Sequence, residues 1–295
     1  MGICTWLILF YTQVMAARLL LFGFLILFCA PLAWSATPVA LIYNGTGSCP
    51  KACAISVAIA AKEAGLTPRF VSESEIDEDS TSEDVTALFD HAKVWIQPGG
   101  YAKDAYLAMS APLKKAITDF VFSGGGYVGF CAGAFMATET IGTTGVDGLG
   151  LIRGRTATYL AHPAREGLKF SMENVRWNNH ELKIYFEGGP FFYDLDSSVD
   201  VVATYQDGLS PAAVRSSFGL GRVFLSGPHP EAPDWWWSKE GILEEEASNL
   251  PLAVKMIQWA SGLEKNILLA PAMHTRRPHL VLENSKSRIV PLAKW

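Results

Sequence analysis

From Ser123 to Phe135 the chain reads Ser-Gly-Gly-Gly-Tyr-Val-Gly-Phe-Cys-Ala-Gly-Ala-Phe. An apolar run of Tyr127, Val128 and Phe130 leads into Cys131, with glycine two residues before the cysteine and two after it. A helix-compatible segment, 132–139, follows at once. This order predicts a strand that stops abruptly, a tight turn and a helix that begins at the turn. Glycine is needed where such a turn is strained and backbones approach closely. A cysteine at the head of a helix has its thiolate stabilised by the helix dipole, which makes Cys131 a candidate nucleophile. The competing reading is a buried core cysteine after an ordinary Gly-rich turn.

Strands and helices alternate before this stretch. Residues 39–43 are a short apolar run closed by Asn44-Gly45-Thr46-Gly47-Ser48, the pattern of a buried parallel strand and a turn. Residues 52–64 are Ala-rich and helical, with Gly65 as the stop. Residues 69–71 and 93–97 read as strands, the second ending in Pro98-Gly99-Gly100. Residues 84–91 and 111–122 read as helices, and the acidic segment 72–82 as a solvated loop. The expected fold class is therefore α/β: a doubly wound, mostly parallel sheet with helices on both faces. Ligands collect at the strand C-termini of such sheets, where Gly99-Gly100 and Cys131 both fall. After Gly150 the segments 151–159, 176–177, 182–186, 199–205, 212–216 and 221–226 read as short strands, some antiparallel. Residues 247–260 form a closing helix before Gly262. No repeat or linker divides the domain expected over 36–263, and 264–295 reads as a C-terminal tail.

The N-terminus is read separately. Arg18 precedes an apolar run from Leu19 to Ala30, and Ala33 and Ser35 are small residues at its exit. This predicts a signal peptide over 1–35 and a periplasmic or secreted protein. The run is short for a membrane span, which needs about 20 residues. A second apolar patch, Trp6 to Tyr11, keeps open the alternative of an uncleaved membrane anchor. A hydrophobic content of 49% and a charged content of 18% describe a globular chain. A net charge of −5 leaves no basic footprint, so no nucleic-acid partner is expected. Of five cysteines, Cys4 and Cys29 would leave with the signal peptide. At helical spacing the Cα atoms of Cys49 and Cys53 would be about 6 Å apart, within disulfide range. They either pair, leaving Cys131 free, or are two small core residues. His162 and His180 lack metal-ligand spacing, so neither a metal nor another cofactor is expected.

The segment Gly221-Arg222-Val223-Phe224-Leu225-Ser226-Gly227-Pro228-His229-Pro230-Glu231 is a strand that ends in His-Pro-Glu. A cysteine nucleophile needs a base, and the base needs an acceptor to orient it. His229 and Glu231 suit those roles; otherwise His229 is a surface histidine in a Pro-rich loop. Trp235-Trp236-Trp237 is either a binding platform or a core cover.

With these residues in view, the chain resembles the class I glutamine amidotransferase-like superfamily, and within it the biotin-protein ligase N-terminal domain family. The resemblance rests on Leu41 to Gly47, Gln97-Pro98-Gly99-Gly100, Gly125 to Phe135, Phe186-Glu187-Gly188-Gly189-Pro190 and Gly227 to Glu231. It spans about residues 39–262 and implies a flavodoxin-like sheet. It also implies a catalytic triad of Cys131, His229 and Glu231, with the N–H groups of Gly100 and Ala132 as an oxyanion hole. Gly99, Tyr101, Phe135 and Glu187 are the candidate pocket residues; Glu187 either lines the pocket or sits in a plain turn. Phe135 departs from the superfamily pattern, which has glutamine there, and this argues against glutamine as substrate. The resemblance concerns one domain of the ligases and is not taken to imply biotinylation. The expected activity is hydrolysis of an amide, γ-glutamyl or peptide bond in a small-molecule or peptide substrate. The alternative is a non-catalytic ligand-binding module with the same fold.

Overall fold

The computed structural model describes residues 37–49, 52–160, 170–239 and 248–264. The expected signal peptide, the tail beyond Glu264 and His162 lie outside these residues. The first half of the chain runs β1 (Val39–Tyr43), α1 (Cys53–Glu63), β2 (Thr67–Val71), α2 (Ser82–Phe89), β3 (Ala92–Gln97), α3 (Ala102–Ala108), α4 (Ala111–Phe122), β4 (Gly126–Phe130) and α5 (Ala132–Ala137). The second half supplies β5 (Arg155–Thr158), β6 (Ser171–Trp177), β7 (His180–Phe186), β8 (Pro190–Tyr193), β9 (Asp200–Tyr205), β10 (Pro211–Phe218) and β11 (Gly221–Ser226). The helices α6 (Asp234–Lys239) and α7 (Leu250–Ser261) follow.

Alternation along the central strands creates two cores. Ala40 and Ile42, Val94 and Ile96, Val128 and Phe130, and Phe224 face one side, where α1 and α7 cover them. Leu41 and Tyr43, Trp95, Tyr127, and Val223 and Leu225 face the other, against α4 and α5. Period-two side-chain direction in strands buried on both faces requires this split. Helix starts are also legible locally. Thr81 and Asp84 form a capping box at α2, and the Ser110 side chain caps α4 by accepting from the Leu113 N–H at 3.0 Å. Gly262 closes α7 with φ of 71°.

The large sheet has nine strands in the order β2-β1-β3-β4-β11-β10-β9-β6-β7, and β5 pairs with β8 in a separate two-stranded sheet. The ladders from β2 to β11 are parallel, and those from β11 to β7 are antiparallel. The expectation of a mostly parallel sheet thus holds for the first half, while the second is antiparallel throughout. Because β2 and β3 lie on opposite sides of β1, the order reverses there. The ends of β1 and β3 therefore flank a crevice of the kind that receives ligands.

Four stretches depart from the sequence reading, among them β8 and α6, since 190–193 was not expected as a strand nor 234–239 as a helix. Residues 102–108 form α3, a short helix between two predicted elements. The segment 72–82 is more than a solvated loop. Its Glu73 carboxylate accepts from the Thr46 N–H at 3.0 Å and from the Tyr43 hydroxyl at 3.1 Å, tying down the turn after β1. Burial and this carboxylate together raise the Tyr43 hydroxyl pKa well above its usual range. Among the described residues no helix is long and apolar enough to cross a membrane.

Candidate active site

Cys131 stands between β4 and α5 with φ of 48° and ψ of −100°. This conformation is strained for a residue with a side chain. The glycines around it explain how the turn closes. A Cβ on Gly129 would lie 2.5 Å from the Gly133 carbonyl carbon, and one on Gly133 would clash with the Gln97 carbonyl oxygen. The first turn of α5 is thus pressed against the ends of β3 and β4. The Cys131 N–H donates to the Ser226 carbonyl at 2.8 Å, which joins the turn to β11. Cys131 as a whole is 6% exposed.

His229 follows β11 by three residues, and its N–H donates to the Tyr185 carbonyl at 2.8 Å. Its Nδ1 lies 2.8 Å from Glu231 Oε1, and both side chains are buried. The other ring nitrogen is then free to serve the Cys131 thiol, which is close enough to help raise the His229 pKa. The Cys131 Sγ also lies 3.5 Å from the Glu187 carbonyl. Burial alone favours the neutral imidazole, but Glu231 and Cys131 outweigh it and hold the His229 pKa well above its ordinary value. The ring is confined by Tyr185 and Trp236, with centroids 6.0 Å and 5.5 Å away. Glu231 Oε2 and the Trp236 indole N–H are buried without a hydrogen-bond partner among the described residues.

Gly99 and Gly100 meet this group from β3. A Cβ on Gly99 would lie 2.7 Å from His229 Cε1, so the imidazole occupies the space that a side chain would take. Gly100 has φ of 140° and bridges to Ser48 in the turn after β1. The Tyr101 N–H donates to the Gly47 carbonyl at 2.7 Å, and the Cys49 N–H donates to the Gly99 carbonyl at 3.3 Å. Ala132 is the first residue of α5, where an N–H has no intrahelical acceptor. The arrangement brings together a thiol, an imidazole, a carboxylate that fixes the imidazole, and backbone N–H groups at a helix start, a set capable of acyl-transfer chemistry.

The remaining sequence-selected residues have mixed fates. Glu187 enters the site through its backbone carbonyl, while its carboxylate accepts from the Tyr185 hydroxyl at 3.3 Å. Tyr101 is 75% exposed. The Phe135 ring packs on the second core and against Gly142. Trp236 is buried beside His229, whereas Trp235 is 46% exposed. The Cys49–Cys53 disulfide is not formed: both are free thiols, as is Cys131. The Cys53 N–H donates to Cys49 Sγ at 3.3 Å, so the sulfur serves as a polar acceptor at the head of α1. Among the described residues no cluster of His, Cys, Asp and Glu is placed to hold a metal ion. Sequence reasoning missed Tyr185. Alternation places it on the strand face shared with Lys183, and only the folded chain brings its carbonyl to His229.

A family model described as biotin-protein ligase, N terminal, matches residues 39–151 and 156–258. A biotin–protein ligase of Schizosaccharomyces pombe is 27% identical over 220 residues, covering 65% of this chain and 33% of that protein. The chain thus spans about a third of that relative's length. Among solved structures, PurLQS from Thermotoga maritima aligns with a TM-score of 0.47 and 18% identity, over 75% of this chain and 98% of the matched one. A Thermoplasma acidophilum protein named for a GMP synthase A subunit aligns with a TM-score of 0.46 and 12% identity, over 77% and 98%.

Proposed function

The chain belongs to the biotin-protein ligase N-terminal domain family, and from that premise we propose that it is a cysteine hydrolase of amide, γ-glutamyl or peptide bonds. The observation that carries the reading is Cys131 on a strained turn, with a buried His229–Glu231 pair held at 2.8 Å beside it. His229 takes the thiol proton, and the Cys131 thiolate attacks the acyl carbon. The N–H groups of Gly100 and Ala132 receive the oxyanion, a contribution of about 3 kcal/mol per donor in comparable sites. His229 returns the proton to the leaving amine, and water resolves the thioester. Glu231 keeps the imidazole oriented and stabilises its charged form. Export of the chain belongs to the same proposal and rests on the apolar run after Arg18.

A second reading, a binding module without turnover, is favoured by Phe135, which puts an aromatic ring where amidotransferases use glutamine. A panel of amide and γ-glutamyl substrates separates the two. Hydrolysis by the wild type that is lost in Cys131→Ser supports the enzyme. Saturable binding with no turnover, equal in both proteins, supports the module. For export, N-terminal sequencing of the protein recovered from outside the cytoplasm is expected to begin at Ala36. An intact Met1 or Met15 on membrane-bound protein would overturn cleavage.

A further inference from the structure

Two thiols beside the proposed catalytic group have no part in the mechanism above. Cys49 is partly exposed in the turn after β1, and Cys53 is the first residue of α1 and 6% exposed. The Cys49 sulfur accepts the Cys53 N–H at 3.3 Å, which sets the two cysteines side by side at the head of α1. Tyr185, Ala232 and Trp236 pack around them. Their accessibility is unequal, and so is their chemistry. The Cys53 thiol, its N–H and the charge of His229 together lower the Cys49 pKa to about 6, against opposition from burial. The adjoining Cys49 sulfur, burial, and the nearby charges of Cys49, Glu231 and Cys131 push the Cys53 thiol far up. One sulfur is thus partly exposed with its pKa drawn down, and its neighbour is buried with its pKa pushed up. This division between attacking and resolving sulfurs is what stepwise disulfide exchange requires.

We infer that Cys49 and Cys53 form a redox-active dithiol that exchanges with low-molecular-weight disulfides, Cys49 attacking and Cys53 resolving. In the first step the Cys49 thiolate bonds to one sulfur of a disulfide such as glutathione disulfide. The S–S bond of the reagent breaks, and the other half leaves as a thiolate. Cys49 is then uncharged, which removes the main influence that held the proton on Cys53. In the second step Cys53 gives up that proton and bonds to the Cys49 sulfur, and the second glutathione leaves as a thiolate. One dithiol is oxidised and one disulfide reduced. The Cys49 thiolate charge and the Cys53 thiol are balanced by two released thiolates and one proton. The reaction needs neither an acyl substrate nor Cys131, so it stands or falls independently of the hydrolase reading.

The test treats the full chain with glutathione disulfide, quenches in acid, alkylates free thiols and maps peptides by mass spectrometry. Trypsin cuts at Lys51, between the two cysteines, so their disulfide appears as two joined peptides. The wild type is expected to yield the Cys49–Cys53 link, with a transient glutathione adduct on Cys49. Cys53→Ser should retain that adduct, and in Cys49→Ser the modification of Cys53 should be at least about tenfold slower than that of Cys49 in the wild type. The absence of a Cys49–Cys53 link in the wild type at every glutathione disulfide concentration would overturn the inference. So would a predominant link from either cysteine to Cys131, or modification of Cys53 at an unchanged rate when Cys49 is replaced. The wild-type arm depends on no variant and decides the matter if a variant fails to fold.

Discussion

Strands β2, β1, β3, β4 and β11 run parallel, and four of the site's residues sit just past their ends: Gly99, Gly100, Cys131 and His229. Strands β10, β9, β6 and β7 run antiparallel, and they contribute backbone acceptors: the Tyr185 carbonyl to His229 and the Glu187 carbonyl to Cys131. In the order of strands β7 is four ladders away from β11. At about 4.8 Å per ladder a flat sheet would hold them some ~19 Å apart. The 2.8 Å bond from the His229 N–H to the Tyr185 carbonyl therefore requires the antiparallel half to curl back over the parallel strand ends. Parallel strands aim reactive groups at one edge because all their ends lie together. Antiparallel strands, with the freedom to twist and coil, provide a wall that returns to meet it.

Mutations in the two halves should therefore have different signatures, and the largest effect is expected on the chemistry. His229→Gln should reduce amide hydrolysis at least about a hundredfold with little change in unfolding temperature, as measured by initial rates and thermal melts. Activity near wild type would show that the parallel edge does not supply the base. Gly133→Ala should destabilise the fold by about 3 kcal/mol, because its Cβ would meet the Gln97 backbone. Gly208→Ala, in an antiparallel-half turn with φ of 68° and no atom within 4 Å of the added Cβ, should cost only about 1 kcal/mol. Denaturant titration of the pair measures the contrast, and equal losses would mean that close approach is no more stringent at one edge than the other.

Glu231→Gln preserves shape and removes charge, so the His229 titration followed by NMR should fall toward its ordinary value. The folded His229 pKa lies above its unfolded value of about 6.5. Its contribution to stability is therefore fully present below about pH 6.5 and is lost as pH rises through the folded value. The stability difference between wild type and Glu231→Gln should accordingly shrink with rising pH; a difference that grows would reverse this assignment. An effect as small as that of Gly208→Ala is expected from Tyr185→Phe. It removes the hydroxyl bond to Glu187 but leaves the carbonyl that His229 uses, so the loss should be about 1 kcal/mol in denaturant titration.

The strand-turn-helix pattern around Cys131 was legible because steric demands on a short segment leave their mark as glycines. The His229-Pro230-Glu231 pair was legible because its two members are two residues apart. Helix α3 was not, because its seven residues carry no strong period and its first turn has no side-chain cap. The three tryptophans could not be divided into core and surface from their order alone. The structure buries Trp236 against Tyr185 and His229, with ring centroids 5.6 Å and 5.5 Å away, and leaves Trp235 partly exposed. Glu73 looked like one acid among many in a polar loop until the fold set it beside Thr46 and Tyr43.

Local patterns in the chain therefore determined the alternation of strands and helices, the elbow at Cys131 and the chemistry available at each strand end. Those properties depend on side-chain periodicity and on the backbone freedom of glycine, which act over a few residues. Tertiary structure alone decided that a strand from the far edge would supply the carbonyls holding His229 and Cys131. It likewise decided that Cys49 and Cys53 would be free thiols packed beside Tyr185 and Trp236. Contacts of that kind depend on the twist and curl of the whole sheet, which no short segment encodes.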